Sequence, residues 1–82
     1  MSDEITTEEI AANYTAMGHS VDLINAVIAG DKMADEEAEE RQDCVDRNVA
    51  HLQLMVAKDY WNDQSMTAVN AAITAGQGYT AE

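Results

Sequence analysis

The stretch Ile10–Ile28, IAANYTAMGHSVDLINAVI, decides the fold. Large apolar side chains recur in it at Ile10, Tyr14, Met17, Val21, Ile24 and Ile28. Steps of three and four put all six on one face of an α-helix, whereas a strand would need alternation. A complete helix-start signature stands just upstream. Thr6 is placed to cap, Glu9 to cap back, and Ile5 and Ile10 to clasp the first turn as a hydrophobic staple. Glu8 and Glu9 suit the positive end of the helix dipole, and Gly30 suits the left-handed residue that ends a helix. The spacing predicts a helix over about 7–29.

A matching stripe recurs at Val45, Val49, Leu52 and Val56. Asp31 is placed to cap a second helix, which the pattern extends over about 33–61, acidic in its first turns and with Lys58 near its last. Asn62 and Asp63 form the next break, and a third helix over about 64–75 is closed by Gly76. Residues 77–82 are expected to fray. The chain contains no proline, the strongest helix breaker, and is rich in alanine. All of this reads as all-α, in a single domain of 82 residues. That is near the size where one core is marginal.

The two apolar stripes fix a register. If facing residues sum to about 66, Ile10 meets Val56, Tyr14 meets Leu52, Met17 meets Val49 and Val21 meets Val45. The expected architecture is a long antiparallel helical hairpin plus a short third helix. The far end of the first helix is mismatched, because Ile24 then faces Gln42 and Ile28 faces Ala38. A third helix starting from the far end of the second should cover Leu54, Met55 and the Tyr60–Trp61 corner instead. Leu23, Ile24, Val27 and Ile28 therefore form an expected oligomer interface, covered by a second copy in a four-helix bundle. The alternative is a later start to the second helix, with the 30–38 segment folded back over the cluster.

Charge narrows the partners. The formal net charge is -12, from 16 acids against 4 bases. Direct binding to nucleic acid or to an anionic membrane needs a basic surface, so both are disfavoured. The favoured partners are the chain itself and a basic protein. No apolar run approaches the roughly 20 residues of a membrane span. The lone Cys44 cannot form an internal disulfide, and no signal peptide is evident, so the expected location is the cytoplasm, or the host cytoplasm for a viral protein.

The residues that carry chemistry do not form a constellation. The acids between Asp31 and Asp46 lack the alternating ligands and central glycine of a calcium loop, and read as a solvated helix face. His19 and His51 stand on different helices and form no HxxxH pair for zinc. Cys44 is one heptad from His51, about 10 Å along the axis, too far for a nucleophile and its base. No catalytic, cofactor or metal residues are assigned, and an enzyme is not expected. Adjacent aromatics on a helix diverge, so Trp61 either packs with Tyr60 at the helix corner or faces outward as a partner anchor.

The low lysine content, the Ala/Asp/Glu-rich helices and the stretches MVAKDYW (55–61) and VNAAITAG (69–76) resemble the small acidic helical proteins encoded by marine phages, especially those of cyanobacteria. That resemblance implies a phage origin and carries over no site residues. The leading functional expectation is a self-associating helical adaptor or regulator acting by protein–protein contact. The alternatives are an acidic decoy that mimics nucleic-acid charge against a basic host protein, and a structural virion or scaffold component.

Overall fold

The computed structural model describes residues 5–61 and 64–82. It comprises three helices, α1 (Thr7–Ala29), α2 (Ala38–Val56) and α3 (Thr67–Gln77), each in contact with the other two. The fold is all-α: about 70% of the structure is helical, with no strand among the described residues. The Asn62–Asp63 break and the first four residues of the acidic lead lie outside the described residues.

α1 has the bounds its sequence predicts. Thr6 Oγ1 accepts the Glu9 N–H at 3.1 Å and donates its own proton to the Glu9 carboxylate at 3.2 Å. At the other end Gly30 adopts φ 84, and its N–H reaches the Val27 carbonyl at 3.2 Å. The Asp31 N–H bonds the Ala26 carbonyl at 2.8 Å. This crossed pair is a Schellman motif, which satisfies the last carbonyls and turns the chain sharply.

α2 is shorter than expected at both ends. It starts at Ala38 rather than near residue 33, after Glu37 in an extended conformation with no side-chain cap. A longer α2 would stack Asp35 on Glu39, like charges one turn apart that disfavour helix. The 30–37 segment instead folds back, with Met33 in the left-handed region at φ 59 and half-buried against the core. α2 ends at Val56 rather than Trp61, because Trp61 turns back and donates its indole N–H to the Met55 carbonyl at 2.8 Å.

The expected reach of the third helix was wrong. Tyr14 Oη donates to the Ser65 carbonyl at 2.8 Å, which sets the entry to α3 beside the first half of α1. From there α3 runs alongside α1 until Gly76 lies against Ile24, Val45 and Val49. Gly76 does not close α3, as its sequence position suggested; it lies inside the helix and is buried. A Cβ there would collide with Val49 Cγ2 and sit 3.2 Å from Val45 Cγ1. Absence of a side chain is what lets the helices close at this level.

One core results. Met17, Val21, Ile24 and Val27 of α1 meet Val45, Val49 and Leu52 of α2 and Val69, Ala72 and Ile73 of α3, with Trp61 at one end. Burial of side chains this size contributes roughly 1.5–3 kcal/mol each. Of the residues paired by the sequence register, Met17, Val21, Val45, Val49 and Leu52 are buried and Tyr14 is half-buried, but Leu54 is 72% exposed.

Two glycine substitutions should move stability in opposite directions. Gly76→Ala overpacks the α2–α3 contact and should cost about 1–3 kcal/mol. A Cβ at Gly18, mid-α1, meets nothing within 4 Å. Gly18→Ala should therefore gain up to about 1 kcal/mol of helix propensity. Urea unfolding midpoints of the two variants check both signs.

Candidate functional site

A cleft of about 740 Å³ opens between the 30–37 loop and the first half of α2. Glu37, Glu39, Glu40 and Asp43 surround it, with Arg47 and Asn48 at one end and Met33 and Cys44 as its apolar part. These residues converge because the Schellman turn reverses the chain and brings Met33 back against the start of α2. Half-buried Cys44 is anchored from Asn48, whose Nδ2 donates to the Cys44 carbonyl at 2.7 Å.

The cleft is electrostatically one-sided. The one ion pair among the described residues is Arg47 with Asp43, at 2.7 Å and largely exposed. The Asp43 carboxylate, through its hydrogen bond and its charge, holds the Arg47 guanidinium above its ordinary value. Arg41, the other arginine of α2, is turned away from the acids. Its guanidinium donates to the Glu36 carbonyl, the Tyr79 hydroxyl and the Glu82 main-chain oxygen. The hydrogen bond to Glu36 and its charge, followed by desolvation and the charge of Glu39, push the Glu40 carboxyl above its ordinary value.

The residues singled out in sequence are not brought together. Ile24 and Val27 are buried in their own chain's core, Leu23 is half-buried and Ile28 is 37% exposed. The cluster foreseen as an interface is thus covered largely in cis, by α3 and by the fold-back. Of the two coverings weighed, the fold-back is present, and α3 adds a covering that the sequence reading had excluded. Trp61 is buried rather than outward. Its ring lies 4.6 Å from that of Tyr60 and 6.2 Å from that of Tyr14, so the aromatic pair packs at the corner.

His19 and His51 are both exposed. No group of three or more His, Cys, Asp or Glu side chains is placed to hold a metal ion among the described residues. No helix among them is long and apolar enough to cross a membrane.

Sequence reasoning missed Arg41, Gln42 and Tyr79. They tie residues 79–82 to α2, where fraying had been expected. An aromatic residue at position 79 was the available signal, because a tyrosine ring in a small core-poor protein tends to find cover. Comparison with known proteins yields no match to a family model, to a curated protein or to a solved structure.

The Glu36–Glu40 repulsion gives a signed pH effect. A carboxyl whose value is raised on folding binds its proton more tightly in the folded chain. Its contribution is fully present below the ordinary glutamate range and is lost as pH rises through the raised value. Lowering pH from 7.5 towards 5 should therefore raise the melting temperature. Glu36→Gln should raise it at pH 7.5 and flatten the rise between the two pH values, as thermal unfolding followed by circular dichroism would report.

Proposed function

We propose that this chain is a non-enzymatic helical module that works by protein–protein contact, taking a basic segment of another protein in the acidic cleft. The observation that carries the reading is the set of carboxylates Glu37, Glu39, Glu40 and Asp43 around an apolar patch of Met33 and Cys44, with the Glu40 carboxyl pushed above its ordinary value by neighbouring Glu36. A lysine or arginine head set among these carboxylates would relieve their repulsion, while its methylene stem would lie on Met33 and Cys44. The overall charge of -12 adds long-range attraction for such a partner.

A basic partner that itself binds nucleic acid would make the chain a decoy for phosphate charge. The helical acids of the cleft, Glu39, Glu40 and Asp43, span only about 6 Å of helix rise, so such mimicry would be local rather than a long stripe. Self-association through the end of α1 is a second reading. It is supported by the residual exposure of Ile28 beside half-buried Leu23. A phage origin and an intracellular role as adaptor, regulator or scaffold are compatible with both readings.

Titration with a lysine- and arginine-rich dodecapeptide tests the cleft. Binding should weaken steeply with salt and fall at least about tenfold, or 1.4 kcal/mol, in a Glu37→Gln, Glu40→Gln variant. An Asp22→Asn, Asp59→Asn control removes the same charge elsewhere and should bind nearly as well as the unmodified chain. Equal losses in the two variants would reduce the effect to net charge and overturn the cleft as a site.

A further inference from the structure

Residues 78–82 leave α3 and cross the first turns of α2, and α2 holds them mainly by their backbone. Gln42 Nε2 donates to the Tyr79 carbonyl at 3.0 Å, and Gln42 Oε1 accepts the Ala81 N–H at 2.7 Å. One side-chain amide thus reads a carbonyl and the N–H two residues on, the pairing that a neighbouring strand would offer an extended peptide. Arg41 adds two bonds, from Nη1 to the Tyr79 hydroxyl at 3.2 Å and from Nη2 to the Glu82 main-chain oxygen at 2.7 Å. The segment borders a concavity of about 380 Å³ against Val27, Ile28 and Ala34. Tyr79 is half-buried and packs on the core.

We infer that Arg41 and Gln42 form a binding site for an extended peptide bearing an aromatic residue with a small residue two positions later, and that the occupant in trans is the same 78–82 segment of a second copy. The chain fills the site in cis in the structure. A segment supplied by a second copy would make the same contacts, so exchange changes only the path around residue 78 and leaves Gly76 packed within α3. Gly78 lies in that path, at the end of α3, and is exposed with nothing closer than 3.7 Å to an added Cβ. Exchange of an identical element is a low-cost route to a dimer. It also distinguishes this inference from the cleft proposal, which involves neither Gln42 nor Tyr79.

The test uses the full chain and a synthetic peptide of residues 77–82. Ala81→Pro removes the N–H given to Gln42 without touching the core, and so weakens the competing cis segment. The peptide should bind this variant at least about tenfold more tightly than the unmodified chain, whose own segment competes at an effective concentration of order millimolar. Tyr79→Ala should show the same gain, and adding Gln42→Ala to either variant should abolish binding. A mixture of the Ala81→Pro chain with a Gln42→Ala chain, which keeps an intact segment, should sediment with a one-to-one heterodimer. Peptide binding no tighter to the Ala81→Pro and Tyr79→Ala chains than to the unmodified chain, binding that survives Gln42→Ala, or no heterodimer at high micromolar concentration would each overturn the inference.

Discussion

The approach of Gly76 to Val45 and Val49 is the contact on which the rest of the structure depends. The end of α1 carries large aliphatic side chains, while the facing turns of α2 offer Ala38, Gln42 and acids. A two-helix hairpin leaves that end open. α3 closes it, and only because a residue with no side chain stands where the three helices converge. The 79–82 segment and its Arg41–Gln42 clamp follow from the same contact, since the path of α3 delivers Tyr79 to the start of α2.

Much of the hairpin was legible in the sequence, for reasons that are local. The Thr6–Glu9 cap and the Gly30 turn involve residues within five positions of each other, so local chemistry dictated them. The period of the Val21–Ile24 and Val45–Val49 stripes gave the facing surfaces. The bounds of α2 were misjudged for physical reasons at each end. Glutamate has a good intrinsic helix propensity, but crowding of five acids between Asp35 and Glu40 sets that propensity against like-charge repulsion. At the other end a side-chain bond from Trp61 to the Met55 carbonyl competes with continued helix.

The role of Gly76 was harder to see. A glycine after an alanine-rich run reads as a stop, and local pattern does not distinguish a stop from a close crossing. The difference lies in what packs against it, a long-range property. The candidate site divides in the same way. Its acids are plain in the composition, but the cleft exists only because the chain reverses at Gly30 and returns Met33 to α2. The sequence also distributes charge unevenly. α1 carries one charged residue, Asp22, between Ile10 and Ala29, whereas eight acids lie between Asp31 and Asp46. The acids thus lie beside the cleft and away from the α1 faces that pack.

The sequence distance between Ile24 and Gly76 also has a consequence for biosynthesis. Some fifty residues separate the exposed apolar end of α1 from the helix that covers it. At about 5–20 residues per second, the nascent chain carries that patch uncovered for several seconds, with only the 30–37 fold-back and α2 to shield it. Acids crowded into the same interval give the unfinished chain a strong local charge, which opposes association between neighbouring nascent chains. The acidic segment is therefore positioned in time as well as in space: it emerges after the part of the chain that most needs protection and before the part that supplies it.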